Sequence, residues 1–217
     1  MTSSPFKITF DIVASFVGLI VLSPVLAVLA IAIKLDSRGP IFYRGERVGF
    51  RGKRFRIFKF RTMVVGADRI GGPSTAAGDP RVTRVGRFLR SVKLDEFPQL
   101  INVLKREMSI VGPRPEVPYY VAMFTEEEKA ILEVRPGITD WASIWNSDEA
   151  ALLAGSPDPE KKYIEEVRPH KIRLQLEYVR NHSFATDLRI LWETCKVLVP
   201  GHKSIAQASA RLQGGAE

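Results

Sequence analysis

Two adjacent carboxylates, Asp95 and Glu96, stand among bases: Arg90 and Lys93 just upstream, and Arg114 in the rigid turn Val111-Gly112-Pro113-Arg114-Pro115. Carboxylates are oxygen donors for hard cations such as Mg²⁺. A stiff loop presenting a guanidinium suits recognition of a pair of phosphate oxygens. Paired acids beside clustered bases therefore suggest a metal-bridged phosphate site. Each acid also has a plainer use, since Asp is a common helix N-cap and Glu is common in a first helical turn.

The elements around this pair follow from periodicity. Leu94, Phe97, Ile101, Leu104 and Met108 recur at steps of three and four, which predicts one buried helix face. Asp95, Gln99, Asn102 and Arg106 form a separate polar stripe. Pro98 is tolerated only in a first turn, so the helix is expected to start close to Asp95, with both acids at the positive end of its dipole. Arg81, Arg84, Arg87 and Arg90 precede it at steps of three and would share one face if helical, a stripe that suits a headgroup-facing surface.

Further upstream, Ile41–Met63 is rich in aromatic and β-branched residues broken by Gly45, Gly49 and Gly52, which reads as short strands or a hairpin. Phe55 and Ile57 alternate with Arg54 and Arg56, but Phe58 and Phe60 fall out of phase. That slip predicts a β-bulge able to re-aim Lys59 and Arg61. Gly66–Arg84, containing Gly71-Gly72-Pro73, reads as a surface loop.

The 217 residues carry a net charge of +8, and its distribution is uneven. Between Arg38 and Lys93 fifteen bases face three acids, whereas the remainder holds seventeen bases and twenty-one acids. Local positive charge implies a polyanionic partner: nucleic acid, anionic headgroups or a phosphorylated substrate. Basic residues interleaved with aromatics could also form a single-strand nucleic-acid platform. The single cysteine, Cys195, excludes an internal disulfide framework and fits a reducing compartment. A hydrophobic content of 45% argues against disorder.

The N-terminus narrows the choice of partner. Ile12–Ile33 contains no charged residue, and twenty-two helical residues reach about 33 Å, enough to cross a bilayer core. Ser23-Pro24 interrupts the middle of this run. A kinked spanning helix, a cleaved signal peptide and a helix-break-helix hairpin that enters one leaflet and returns all fit the pattern. Backbone groups freed at Pro24 need partners, and the Ser23 hydroxyl is one.

Taken together, LDEFPQLINVLKREMSIVGPRP, the KFRTM run at Lys59–Met63 and the Ser23-Pro24 interruption resemble the small monotopic phosphoglycosyl transferases, the initiating sugar-1-phosphate transferases of bacterial glycoconjugate assembly. The resemblance runs from about Phe6 to Val199. It implies the re-entrant hairpin over residues 1–36, a catalytic domain over 37–200 and a flexible tail over 201–217. The implied fold is α/β, mostly helical with a small β region and amphipathic interfacial helices. The implied site joins Asp95 as nucleophile to Glu96 as Mg²⁺ ligand, with Lys59, Arg90 and Arg114, and less firmly Arg61, at the substrate phosphates. Expected partners are a UDP-sugar, a polyprenol phosphate and the lipid bilayer, and not nucleic acid. The expected location is the cytoplasmic face of the bacterial inner membrane. A membrane-anchored polyanion-binding module without chemistry would explain the basic belt and the apolar anchor, but not the paired acids or the Val-Gly-Pro-Arg-Pro turn.

Beyond Pro115, Thr125 and Glu128 spell a capping box ahead of an expected amphipathic helix Glu126–Val134. Arg135-Pro136-Gly137-Ile138-Thr139 resembles a second family signature. Asp140 stands where the family usually has Gly, and Trp141–Ser147 departs from the usual Ala-Gln-Val-Asn-Gly run, a difference that bears on the sugar if this region contacts it. Lys161–Arg180 and Ala185–Val199 read as helices. Leu188, Leu191, Trp192, Cys195 and Val199 are expected to pack in the core, with an in-plane membrane-surface contact as the other option.

Overall fold

The computed structural model describes residues 4–70, 75 and 78–198; the expected tail and Val199 lie outside them. Mostly helical, with six short strands, it has the mixed content expected. The chain opens on one long helix, α1 (Pro5–Asp36), capped by the Ser4 side chain at the Lys7 N–H. The helix runs through Pro24 without interruption, in place of the expected break. Its repair is local. Pro24 lacks the N–H that would reach the Ile20 carbonyl four residues back, and the Ser23 hydroxyl donates to that same carbonyl at 2.8 Å.

Three two-stranded pairings carry the loops of the site. β1 (Phe42–Tyr43) pairs antiparallel with β4 (Lys59–Phe60), and between them β2 (Glu46–Val48) pairs antiparallel with β3 (Arg54–Arg56). β5 (Ser109–Val111) lies parallel to β6 (Gly137–Thr139). The phase slip at Ile57–Phe58 is a strand break rather than a bulge, and the Asn102 side chain splints it. Its Oδ1 accepts from the Phe58 N–H at 2.8 Å, while its Nδ2 donates to the Arg56 carbonyl at 3.0 Å.

The helices are α2 (Ala67–Ile70), α3 (Arg84–Ser91), α4 (Leu100–Leu104), α5 (Pro118–Val121), α6 (Trp141–Trp145), α7 (Glu149–Leu152), α8 (Pro159–Lys162), α9 (Arg168–Asn181) and α10 (Phe184–Leu198). A π-turn at Tyr163–Val167 joins α8 to α9, giving the long helix expected there. Arg81 lies ahead of α3, bonded to Asp79, so it does not join the helical Arg stripe. The Thr125–Glu128 capping box forms, but it opens a 3₁₀ helix at Glu128–Glu133 rather than an α-helix.

Two departures concern which face is covered. Asp95, Gln99 and Asn102 of the polar stripe are buried, whereas Leu94, Phe97, Ile101 and Leu104 are only half-buried. The cause is the neighbours. The polar stripe turns to the strands and the charged site, while the apolar side meets α1, where Leu100 lies against Gly18. On α10 the expected core face is partly open: Leu188, Trp192 and Cys195 are exposed, Trp192 by 64%, while Leu191 packs half-buried against the cluster of Val111 and Ile190. Its inward side is instead Asp187 and Ile190.

Both ends of α1 rest on the same body. At the start, Lys7 pairs with Asp187 at 2.8 Å, Asp11 accepts from Ser109 at 2.7 Å, and Phe6 and Phe10 meet the Phe184 ring edge-on. At the end, Leu29 and Ile33 pack with Phe60 and Leu89, and Asp36 accepts from the Val85 N–H at 3.0 Å. Between these ends, Phe16, Val17, Ile20, Val21, Val25 and Val28 are exposed.

Candidate active site

Asp95 and Glu96 sit not in an α-helix but in a 3₁₀ turn, Leu94–Gln99, that leads into α4. Lys93 opens the turn in the left-handed region at φ 58°. For a lysine that conformation costs energy, and such outliers cluster at functional sites. Burial lowers the Lys93 pKa, against the pull of Glu96. The tighter turn buries the Asp95 side chain almost completely and leaves Glu96 at the edge of the site.

Lys59, delivered by β4, bridges the acids, with its Nζ 2.9 Å from Asp95 Oδ2 and 3.3 Å from Glu96 Oε1. Asp95 Oδ2 is buried and has no aligned hydrogen-bond donor. Its close partner is the Lys59 ammonium. Arg114 grips Glu96 with both guanidinium ends, NH1 to Oε2 at 2.9 Å and NH2 to Oε1. Burial would raise the Glu96 carboxyl, but Arg114 and then Lys59 outweigh it and hold it well below the usual carboxylate range. Conversely, Glu96 raises Arg114.

Arg90 approaches from α3, its Nε donating to Thr62 Oγ1 at 2.9 Å. Burial lowers its pKa, while Asp95 and Asp79 oppose that. Close approach of α3 to Thr62 depends on Gly86, where a Cβ would lie 2.1 Å from the Thr62 carbonyl oxygen. Arg61 goes elsewhere. Its guanidinium donates to the Ser37 and Arg38 carbonyls and to Ser37 Oγ, closing the C-terminus of α1. Ser23 and Pro24 lie in the exposed middle of α1. Lys59, Arg90, Asp95, Glu96 and Arg114 thus converge, and Arg61 does not join them.

The turn carrying Arg114 is fixed on several sides. Gly112 and Gly137 pack backbone to backbone, leaving no room for a Cβ on either. Arg114 N donates to Asp140 Oδ2 at 3.1 Å, and Gln175 Nε2 lies 3.4 Å from the Arg114 carbonyl. Two residues on, half-buried Glu116 pairs with Lys171 at 2.7 Å, and Lys171 also donates to the Tyr163 hydroxyl at 2.8 Å. Glu149 adds a field that favours the charge on Arg90 and Arg114. Asp140, Gln175, Glu149 and Thr62 were not singled out as site residues from sequence. Asp140 gave a signal by standing where the resembling family usually has Gly, and Thr62 lies inside the KFRTM run.

Among the described residues no group of three or more His, Cys, Asp or Glu is arranged to hold a metal ion. Mg²⁺ does not require one. It keeps several waters and commonly takes one or two carboxylates plus substrate phosphates. Glu96 stands at the edge of the site, and since both its oxygens already accept from Arg114, a cation there would take their remaining lone pairs.

The family profile described as bacterial sugar transferase matches residues 2–201. The chain belongs to this family. It is 41% identical over 199 residues to an undecaprenyl-phosphate glucose phosphotransferase of Komagataeibacter xylinus, covering 88% of this chain and 35% of that protein. It is 39% identical over 194 residues to a UDP-glucose:undecaprenyl-phosphate glucose-1-phosphate transferase of Escherichia coli, covering 85% and 38%. Over 194 residues it is 38% identical to the sugar transferase EpsL of Bacillus subtilis, uncharacterized in function, covering 89% and 87%. The chain therefore spans well under half the length of the first two relatives.

Proposed function

We propose that this bacterial sugar transferase moves a sugar-1-phosphate from a UDP-sugar to a polyprenol phosphate, through a covalent ester on Asp95. The observation that carries this is the buried Asp95 carboxylate, its Oδ2 2.9 Å from Lys59 and beside the Glu96–Arg114 pair. In the first step an Asp95 oxygen attacks the phosphorus bearing the sugar. The P–O bond to UMP breaks and its electron pair leaves with UMP. In the second step a polyprenol phosphate oxygen attacks the same phosphorus, and Asp95 is released as the carboxylate. Splitting the transfer in two makes a weak nucleophile adequate.

Lys59, Arg90 and Arg114 surround the reacting oxygens with positive charge where negative charge develops. Glu96 would hold Mg²⁺, which neutralises diphosphate charge when bound. The names of the two transferase relatives support undecaprenyl phosphate as acceptor, and the E. coli name supports a UDP-sugar donor.

A monotopic placement accompanies this reading. A helix of 32 residues is about 48 Å long, so a spanning α1 would put its ends on opposite faces of the bilayer. Contacts of Lys7 and Asp11 at one end and Asp36 at the other with one body support ends on a single side, the cytoplasmic one. The exposed apolar middle of α1 and the open face of α10 would then face lipid.

The test is single-turnover chemistry. Enzyme given labelled UDP-sugar without acceptor should release a burst of UMP stoichiometric with enzyme and gain a sugar-phosphate adduct on Asp95. The Asp95→Asn variant should do neither. Full activity in that variant would end the proposal.

A further inference from the structure

We propose that Asp140, together with Gln175, positions the Arg114 guanidinium, and that Asp140 affects phosphoryl transfer only through Arg114. This rests on the reading of Arg114 as a phosphate-facing group.

Arg114 lies between Pro113 and Pro115, so its N–H is the one backbone donor those three residues possess. That N–H is given to a fully buried carboxylate, Asp140 Oδ2, at 3.1 Å. The carbonyl of the same residue receives Gln175 Nε2 at 3.4 Å, and that amide also donates to Asp140 Oδ2 at 3.3 Å. Both main-chain groups of Arg114 are thus tied to side chains of other elements, the cap of α6 and the middle of α9. From this fixed root the side chain reaches Glu96 with both ends of its fork.

The residue type at 140 is informative. Capping α6 needs one oxygen, and Oδ1 supplies it to the Ser143 N–H at 2.6 Å. Ser, Thr or Asn would cap as well. What they lack is a second acceptor on the opposite side. Ser and Thr carry a single oxygen, and Asn would turn an NH₂ toward the Arg114 N–H. Only a carboxylate of this length accepts from the cap and the turn together. Burying a full charge for a cap alone would be a poor exchange, because a buried carboxylate is costly unless hydrogen-bonded throughout.

Asp140→Ser separates the two duties, since it keeps the cap and removes the contact to Arg114. In lipid nanodiscs the variant should still fold and unfold cooperatively, at a melting temperature lowered by the Arg114 N–H and Gln175 amide left without their acceptor. Its kcat for UMP release from UDP-sugar should fall roughly 10- to 100-fold, the scale of a small misplacement of a charge-stabilising group. KM should change little, because the lost interaction is made in the transition state. In an Arg114→Ala background the same change should cost less than about twofold, since groups acting as one unit are not additive. Equal losses in both backgrounds, or an Asp140→Ser enzyme with wild-type kcat, would overturn the proposal.

A second reading needs no turnover. The drop in melting temperature caused by Glu96→Gln should shrink by about half or more in the Asp140→Ser protein, because Arg114 is no longer aimed at Glu96. An undiminished drop overturns the positioning role. If wild-type protein releases no UMP while this melting coupling is present, the proposed function fails and the positioning stands.

Discussion

Replacing Arg114 by Met keeps most of the aliphatic stem and removes the partner that grips both Glu96 oxygens. Breaking a buried ion pair from one side costs about 3–5 kcal/mol, because the remaining charge is left in a poor solvent. Arg114 is 27% exposed and Lys59 remains beside Glu96, so the low end, about 3 kcal/mol, applies. For a chain of this size that is a loss of about 6–12 °C in melting temperature. The pH dependence has a definite sign. In the wild-type protein Glu96 is depressed, so its contribution is complete above the unfolded pKa of about 4.3 and fades only as pH falls through the lower folded value. That contribution is flat between pH 5 and 8.

Without Arg114, burial faces only Lys59 and Lys93, and the Glu96 carboxyl rises. Once it exceeds the unfolded value, a raised carboxyl is relieved by protonation, so the variant regains stability as pH falls. The gap between wild type and Arg114→Met should therefore be widest near pH 8 and narrow toward pH 5. Thermal unfolding in nanodiscs across that range measures it. A gap that is constant, or that widens on acidification, would refute this account of Glu96.

Other perturbations test other joints. Ser23→Ala should leave the Ile20 carbonyl unpaired and lower stability by about 1 kcal/mol, the measured scale for polar contacts between membrane helices. Restoring an N–H with Pro24→Ala should remove that loss, and an equal loss in both backgrounds would show that the hydroxyl does not repair the helix. Asp187→Asn should loosen the start of α1, because Lys7 and the Tyr178 hydroxyl both rely on that carboxylate; unchanged protease resistance at the N-terminus would count against the clamp. With Trp141 and Trp145 replaced by Phe, Trp192 fluorescence should be quenched by brominated lipid, and unquenched emission would place the open face of α10 in water.

The pairing of the acids with Arg114 was legible because the Val-Gly-Pro-Arg-Pro turn is short and has few conformations. Lys59 and Arg90 were placed beside them by the family resemblance, not by any local pattern. Arg61 was not legible. It stands two residues from Lys59 with the same charge, and only the end of α1, twenty-odd residues upstream, decides that its guanidinium closes helix carbonyls instead. The same holds for Asp140 and Gln175, whose partner Arg114 is 26 and 61 residues away in the chain. Long-range hydrogen bonds leave no local pattern, so a residue's type can be read from sequence while its partner cannot.

The stripe from Leu94 to Met108 carries a sharper lesson about pattern. The helical part ends at Leu104, short of Arg106, which is exposed, and of Met108, which is buried; within it Asp95, Gln99 and Asn102 are buried while Leu94, Phe97, Ile101 and Leu104 are only half-buried. A surface helix of a soluble protein turns its apolar stripe inward because water lies on the other side. Here both sides have protein neighbours. One side holds Asn102 against the broken strand and Asp95 against Lys59, and the other meets α1, a helix apolar over most of its circumference. Period depends on backbone geometry alone, whereas the choice of face depends on what the neighbours are. Gln99 is fully buried on the same side as Asp95 and Asn102, with no partner in hydrogen-bond geometry at either amide atom. In this fold the most polar helical stripe packs against the charged cluster, and the most apolar helix leaves its middle exposed.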